Sequence, residues 1–89
     1  MADVTIYSKG YCPYCKMAKA SLSEMGVLFK ELDITNNAQL TNEMHQLSKR
    51  RTVPQIFIDA KHIGGFDDLQ VATRNGELTQ LLQAGCVEV

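Results

Sequence analysis

The sequence predicts a single α/β layer domain over residues 1–89, with strands and helices in the order βαβαββα(α). Three observations predict this class. A strand, a helix and a second strand follow one another within about 30 residues, two short strand-like runs later form a hairpin, and amphipathic helices fill the intervals. A chain of 89 residues, 45% apolar and 21% charged, fits one globular domain.

The first three elements make a βαβ unit. Asp3–Ser8 is rich in β-branched and aromatic residues, as strands are. A helix is predicted from Pro13, which suits the first helical position, to Met25, with Gly26 just past its end. The apolar face of this helix carries Ala18, Leu22 and Met25. Val27–Ile34 is predicted as a second strand, parallel to the first because a helix crosses between them.

A second helix and a β-hairpin follow. Asn36 is predicted as the helix N-cap, and Gln39 three residues later completes a capping-box pattern. The apolar face of this helix carries Leu40, Met44 and Leu47. Gln55–Asp59 and Lys61–Gly64 are predicted as antiparallel strands joined by a tight turn around Ala60.

Two helices are predicted at the end of the chain. The run "FDDLQVATRNG" begins at Phe66, has acidic residues in its first turn and ends at Gly76. Glu77–Gly85 is predicted as a short last helix, with apolar residues Leu78, Leu81 and Leu82.

Charge and hydropathy exclude several classes of function. The net charge is −1 and the pI is near 6.0, so a nucleic-acid partner is not expected. The one basic cluster, residues 49–51, is expected to be solvated. No apolar run approaches the roughly 18 residues that span a bilayer, and no signal peptide is visible. We therefore expect a cytoplasmic protein without a membrane partner, in a compartment that disfavours permanent disulfides.

Cys12 and Cys15, separated by two residues, admit four interpretations. A structural zinc site needs four ligands, and the other candidates, Cys86, His45 and His62, are scattered along the chain. A permanent disulfide closing so small a loop would add little stability. Two inert core cysteines remain possible, since free cysteines are often buried. The pattern favours a reversible redox pair, because CxxC at a βαβ unit is typical of thioredoxin-like redox proteins.

The redox interpretation has a physical mechanism. Cys12 is predicted at or just before the N-cap of the first helix, where unpaired N–H groups and the helix dipole favour a thiolate, the nucleophilic form. Lys9, just upstream, could add positive potential. Cys15 is three residues further on and therefore near Cys12 on the same side of the helix, placed to attack a mixed disulfide. Pro13 stiffens the turn between them.

Three separated motifs then resemble the glutaredoxin family, specifically its small bacterial dithiol type, over about residues 4–82. They are "YCPYC" behind Lys9, "TVPQIFID" at Thr52–Asp59 and "GGFDDL" at Gly64–Leu69. The resemblance implies a thioredoxin-like (glutaredoxin) fold, a four-stranded mixed sheet flanked by helices with the CPYC loop at the sheet edge. It also implies a cis peptide bond before Pro54, which would turn the backbone of Val53 toward Cys12.

The resemblance implies glutathione as a cosubstrate, with no bound cofactor and no metal. Lys9 would pair with the glycine carboxylate of glutathione, and Tyr14 would pack against its backbone. Thr52 and Val53, next to Pro54, would hold its cysteine segment in a strand-like manner.

The other end of glutathione would meet the start of the third helix. After Gly65, the backbone N–H groups of Phe66 and Asp67 suit the α-carboxylate of the ligand. The side chain of Asp67, with that of Asp68, could take the α-amine. These acidic residues also suit a helix N-terminus, and the two roles are compatible.

The sequence departs from the family pattern in three places. Phe66 stands where small bacterial members often have cysteine, so a third thiol near the site is missing. The second helix lacks a basic residue that helps some relatives hold the glycine carboxylate, and offers Gln39, Thr41 and Asn42 instead. Arg51 could help Lys9 to hold that carboxylate, whereas Arg50 is expected to be an ordinary solvated charge. Cys86 is expected to be a spare thiol on a frayed tail.

The activity implied is a glutathione-dependent thiol–disulfide oxidoreductase, with Cys12 as nucleophile and Cys15 as resolving thiol. Its protein partners would be glutathionylated or disulfide-bonded proteins, with ribonucleotide reductase as one candidate, and the protein would be a monomer. The alternatives are an electron donor recharged by thioredoxin reductase, a non-enzymatic iron–sulfur scaffold, and a catalytically silent binding module. Pro13 counts against the scaffold, because family members of that kind mostly lack this proline or the second cysteine.

Overall fold

The computed structural model describes residues 3–59 and 61–84. The elements follow in the predicted order as β1 (Val4–Ser8), α1 (Pro13–Glu24), β2 (Lys30–Asp33), α2 (Ala38–Ser48), β3 (Gln55–Ile58), β4 (Lys61–Gly64), α3 (Phe66–Arg74) and α4 (Glu77–Ala84). The predicted turn at Ala60, the Leu82 side chain and the predicted spare thiol of Cys86 lie outside the described part. Within that part, no helix is both long enough and apolar enough to cross a membrane.

The four strands form one mixed sheet in the order β2-β1-β3-β4. β1 pairs with β2 in parallel, as the βαβ pattern predicted, from Thr5↔Lys30 to Ser8↔Asp33. β3 lies antiparallel to β1 on its other side, and β4 completes the hairpin with β3. This four-stranded mixed sheet with flanking helices confirms the thioredoxin-like fold.

The alternation of side chains along the central strands divides the core between the two faces of the sheet. One apolar cluster joins the sheet to α1, α3 and α4 through Val4, Ile6, Ala18, Leu22, Ile56, Ile58, Phe66, Leu69, Ala72 and Leu78. The other cluster joins it to α2 through Tyr7, Ile34, Met44 and Phe57. The Tyr7 hydroxyl also donates a hydrogen bond to Glu43 of α2 at 2.8 Å. The helices are thus held to the sheet by apolar burial on both faces.

The ends of α1 follow the predicted signals. Pro13 is the first helical residue, directly after the N-cap. At the other end the Gly26 N–H donates to the Ser23 carbonyl, and the Val27 N–H donates to the Leu22 carbonyl. Gly26 has φ +73°, so this is a Schellman ending that suits glycine.

The predicted start of α2 was wrong by one residue. Asn36 has φ +56°, and Asn37 is the N-cap, with its side chain accepting the Leu40 N–H at 3.0 Å. The predicted capping box between Asn36 and Gln39 is therefore not formed. Asn36 tolerates the left-handed conformation that the turn requires, which leaves the cap to its neighbour.

Three other sequence expectations also need correction. β2 begins at Lys30 rather than Val27, because the Val27 N–H closes the end of α1 and the ladder to β1 begins at Thr5. Met25 is exposed because it is the C-cap, where the chain leaves the helix. Leu47 is also exposed, because α2 turns Met44 and Ser48 toward the core instead.

Paired substitutions at the two asparagines test the start of α2. Asn37→Ala should lower the free energy of unfolding by about 1 kcal/mol, because the Leu40 N–H loses its acceptor. Asn36→Gly should leave stability unchanged or slightly raised, because glycine adopts a positive φ without steric cost. Urea unfolding of both variants measures this. The reverse ranking would restore Asn36 as the cap.

Candidate functional site

Three chain segments converge at one edge of the sheet. β1 ends there and leads into the loop before α1, whereas β3 begins there, since Tyr7 pairs with Gln55. β4 also ends there, with Gly64 opposite Ile56, and leads into α3. The CPYC loop, the segment before β3 and the N-terminus of α3 are therefore neighbours, as the resemblance implied.

Cys12 is the N-cap of α1, as predicted, and is half-buried. Its Sγ accepts the backbone N–H of Cys15 at 3.3 Å. On the other side the same thiol donates to the Val53 carbonyl at 3.7 Å. The Val53–Pro54 peptide bond is cis, as expected. The Cys12 sulfur thus lies between the first turn of α1 and the segment that enters β3.

Cys15 is fully buried one helical turn further on. Burial, followed by the side-chain hydrogen bond with Cys12, raises the pKa of the Cys15 thiol to about 12. The Lys9 backbone and the Lys19 ammonium act weakly in the opposite direction. Both cysteines are free thiols, and Cys15 keeps its proton at neutral pH while Cys12 is the accessible sulfur.

A groove of about 310 Å³ lies on one side of this site. Its lining residues are Tyr14, Arg50, Thr52, Val53, Pro54, Gly65, Phe66, Asp67 and Asp68. Seven of the predicted ligand-binding positions are therefore brought together. Tyr14 is exposed, and its ring lies 6.2 Å from that of the buried Phe66, centroid to centroid.

Lys9 lies apart from the other predicted residues. It lines a second groove of about 660 Å³, together with Tyr11 and the N-terminal part of α2. Its Nζ lies 5.9 Å from the centre of the Tyr11 ring. The Lys9 carbonyl accepts the Cys12 N–H at 3.1 Å, which joins Lys9 to the start of the CPYC loop.

The start of α3 carries an ion pair that the sequence analysis missed. Arg50, expected to be a solvated charge, donates to the Asp68 carboxylate at 2.8 Å across the groove. The same carboxylate accepts the Gly65 N–H at 3.0 Å, so Asp68 caps the helix. The Arg50 hydrogen bond, then that from Gly65, lowers the pKa of Asp68. A Cβ at Gly64, where φ is +119°, would overlap this carboxylate.

Two further residues behind the groove were also missed. Gln55 is fully buried in β3, and its amide nitrogen contacts the Thr52 carbonyl and hydroxyl at 3.0 and 3.1 Å. Its amide oxygen lies 2.7 Å from Nε2 of His62. The available signal was a glutamine directly before the apolar run "IFI", because a polar side chain buried in a central strand needs partners.

Comparison with known proteins settles the family. The glutaredoxin family model matches residues 4–63, which is more than half of the chain. The chain belongs to the glutaredoxin family. Glutaredoxins are thiol–disulfide oxidoreductases.

Individual relatives agree along nearly the whole chain. Glutaredoxin 3 of Escherichia coli strain K12 is 57% identical over 83 residues, which cover 93% of this chain and all of that protein. The solution structure of glutaredoxin from Brucella melitensis is 44% identical, with a TM-score of 0.83 and coverage of 99% and 96%. The crystal structure of the buckwheat glutaredoxin–glutathione complex is 28% identical, with a TM-score of 0.85 and coverage of 98% and 83%.

Alkylation should separate the two thiols. In a reduced Cys86→Ser background, which removes the third cysteine, iodoacetamide at neutral pH should modify Cys12 and leave Cys15 untouched. Cys15 is inaccessible and protonated, with its pKa near 12, and should react only after denaturant unfolds the chain. Peptide mapping by mass spectrometry reads the result. Equal rates at both sulfurs in the folded protein would contradict it.

The Asp68 cap should make the free energy of unfolding depend on pH in the acid range. A carboxyl whose folded pKa is depressed stabilises the fold above its unfolded pKa of about 3.9, and this contribution is lost as pH falls through the folded pKa. Asp68→Asn should therefore be less stable than the parent at neutral pH, and the gap should close in acid. Urea midpoints across this range measure it, with Asp67→Asn as the matched control on the same helix end. A gap that is constant with pH would show that the charge of Asp68 is not responsible.

Proposed function

We propose that the chain is a glutathione-dependent thiol–disulfide oxidoreductase that reduces protein–glutathione mixed disulfides and protein disulfides. One observation carries the proposal. A half-buried thiol at a helix N-cap is followed one turn later by a fully buried thiol, and beside them lies a groove whose wall contains the Val53–Pro54 segment and the N-terminus of α3. Such a groove suits a small anionic thiol peptide, and glutathione is one.

The first step is an attack by the Cys12 thiolate on the glutathione sulfur of a glutathionylated protein. A new S–S bond joins Cys12 to glutathione, the old one breaks, and the protein thiolate leaves and takes up a proton. The Cys15 N–H and the N-terminus of α1 stabilise negative charge on the Cys12 sulfur before the attack.

Two routes regenerate the enzyme. In the first, a second glutathione thiolate attacks the glutathione sulfur on Cys12, and glutathione disulfide and the Cys12 thiolate are released. In the second, the Cys15 sulfur attacks Cys12 and expels glutathione, which takes the proton that Cys15 loses. The Cys12–Cys15 disulfide is then reduced by two glutathione molecules. Only the second route requires Cys15.

For a protein disulfide, Cys12 attacks one protein sulfur, an S–S bond joins the two, and the other protein sulfur leaves as a thiolate and takes up a proton. Cys15 then attacks Cys12 and expels the first protein sulfur, which takes the proton that Cys15 loses, so we assign the reduction of protein disulfides to this resolving step.

The proposed pose of glutathione follows the two walls of the groove. The backbone of Val53, beside Pro54, would hold the cysteine segment of glutathione, and Tyr14 would pack against it. The Phe66 and Asp67 N–H groups have no acceptor within α3, as at any helix start, and would receive the α-carboxylate. The buckwheat relative forms a complex with glutathione, which supports glutathione as the ligand proposed for this groove.

The two ends of glutathione would meet different charges. The Asp67 carboxylate, near that of Asp68, would take the α-amine beyond Gly65. Lys9 would take the glycine carboxylate from the second groove. Thr52, at the entrance to β3, would contact the cysteine segment between these ends.

We further propose the setting in which this chemistry operates. Residues 1–89 would form one domain that acts as a cytoplasmic monomer. Glutathione would be a cosubstrate rather than a resident cofactor. The partners would be glutathionylated or disulfide-bonded proteins, with ribonucleotide reductase as one candidate, and neither nucleic acid nor membrane would take part.

Single cysteine variants test the two roles. Cys12→Ser should reduce turnover of a glutathionylated peptide to the uncatalysed background, because no other thiol stands at the N-cap. Cys15→Ser should keep this activity and lose the reduction of a protein disulfide, because the resolving thiol is gone. Cys86→Ser is the matched control and should behave as the parent. Loss of both activities in Cys15→Ser would contradict the roles.

The electron donor should be tested in the same assay. NADPH oxidation would be followed with glutathione and glutathione reductase, and separately with thioredoxin reductase alone. Turnover only with glutathione supports the proposal. Turnover only with thioredoxin reductase would retain the role of Cys12 and refute the glutathione site. No NADPH oxidation in either assay would refute the enzymatic proposal. The iron content of the anaerobically purified protein would then test the iron–sulfur alternative.

A further inference from the structure

The buried Gln55 amide is connected to the groove by hydrogen bonds with a defined direction. Its nitrogen faces the Thr52 carbonyl at 3.0 Å and the Thr52 hydroxyl at 3.1 Å, while its oxygen faces Nε2 of His62 at 2.7 Å. The His62 ring also lies on that of Phe57, with the centroids 4.9 Å apart. The glutamine side chain is therefore clamped at both ends.

The Thr52 carbonyl fixes the direction of the whole network. A backbone carbonyl only accepts hydrogen bonds, so the Gln55 atom facing it must be the NH₂ group. The other amide atom is then the oxygen, and His62 must donate to it from a protonated Nε2. Burial, and then the nearby Arg50 charge, lowers the pKa of His62, so at neutral pH this is the neutral Nε2–H tautomer.

This arrangement also determines whether the Thr52 hydroxyl donates or accepts its hydrogen bond with Gln55. It accepts the second N–H of Gln55, so its own proton cannot point at that amide and is available to an acceptor elsewhere. Thr52 is exposed and lines the groove beside Cys12. A ligand in the groove therefore meets a hydroxyl that acts as a donor.

We propose that Gln55, clamped by His62, is a positioning residue that fixes the Thr52 hydroxyl as a hydrogen-bond donor, so that the groove selects a ligand with a carbonyl or carboxylate oxygen at that point. This inference rests on the proposed function and deepens it. In a thiol peptide, the oxygen concerned would be a backbone carbonyl next to the cysteine. Neither Gln55 nor His62 touches the ligand, and both act through Thr52.

The direction of the network can be tested without any substrate. Two-dimensional ¹⁵N NMR of the histidine rings in the reduced protein should show His62 as the Nε2–H tautomer at neutral pH. The Gln55 side-chain NH₂ protons should be protected from solvent exchange. A dominant Nδ1–H tautomer for His62, or rapid exchange of that NH₂ group, would overturn the inference.

Steady-state kinetics with a glutathionylated peptide test the consequence. Thr52→Val, Gln55→Met and His62→Phe should each raise KM about three- to tenfold, as for loss of one hydrogen bond, with kcat changed less than about twofold. Thr52→Ser keeps the hydroxyl and should stay close to the parent. His62→Phe keeps an aromatic ring against Phe57 and removes only the N–H. If Gln55→Met does not fold, His62→Phe provides the same test.

Non-additivity distinguishes positioning from a merely structural role. Combining Thr52→Val with His62→Phe should raise KM no more than the worse single variant, because both remove the same donor. Thr73→Val and Gln70→Met, on α3 away from this groove, are matched controls and should leave KM unchanged. Additive increases in KM in the double variant would overturn the inference. So would single variants in which kcat and the melting temperature both fall while KM stays unchanged.

The two proposals fail in different ways. If the parent protein turns over the glutathionylated peptide and these variants keep its KM, only the role of Gln55 and His62 is refuted. If the parent protein does not turn it over at all, the proposed function is refuted, and the inference that rests on it falls as well.

Discussion

The antiparallel ladder between β1 and β3 is the constraint on which the rest of the site depends. Because Tyr7 pairs with Gln55, the chain leaves β1 and enters β3 at the same edge of the sheet, and the β3–β4 ladder brings the start of α3 there too. A slip of one residue would turn every side chain of β3 to the opposite face. Ile56 and Ile58 belong to one apolar cluster and Phe57 to the other, so such a slip would expose both sets to the wrong surroundings.

This edge gives two chemically identical thiols opposite environments. Cys12 ends the loop from β1, is half-buried and accepts the Cys15 N–H, whereas Cys15 is one turn inside α1 and fully buried. Desolvation keeps the proton on Cys15, whereas Cys12 lies at the start of the helix. The difference follows from position along a single helix, and that position is set by where α1 begins. Pro13 fixes that point by suiting the first helical position.

The sequence predicted the element order and the parallel pair, because these depend on local signals. The convergence of most of the proposed ligand-binding positions was implied by the family resemblance. Pro13, the glycines after helices and the alternation along strands act within a few residues. What escaped prediction depends on pairs distant in sequence. Arg50 resembles any surface cation until the fold brings Asp68 within 2.8 Å, 18 residues away. Gln55 and His62 form their hydrogen bond only because the β3–β4 hairpin brings them together. Adjacent Asn36 and Asn37 could each cap α2, and only the turn geometry decides between them.

The fully buried polar side chain behind the groove, that of Gln55, is a neutral amide. Burying an isolated charge beside β3 would cost far more than burying an amide whose nitrogen and oxygen are both hydrogen-bonded, as those of Gln55 are. The guanidinium of Arg50 is bound to Asp68, so it organises the start of α3 instead of acting as a mobile counter-ion. A flexible ammonium such as that of Lys9 attracts an anion without fixing its orientation. In the proposed function, backbone and hydroxyl donors held by the sheet would add the orientation that a disulfide needs before a thiolate attacks it in line.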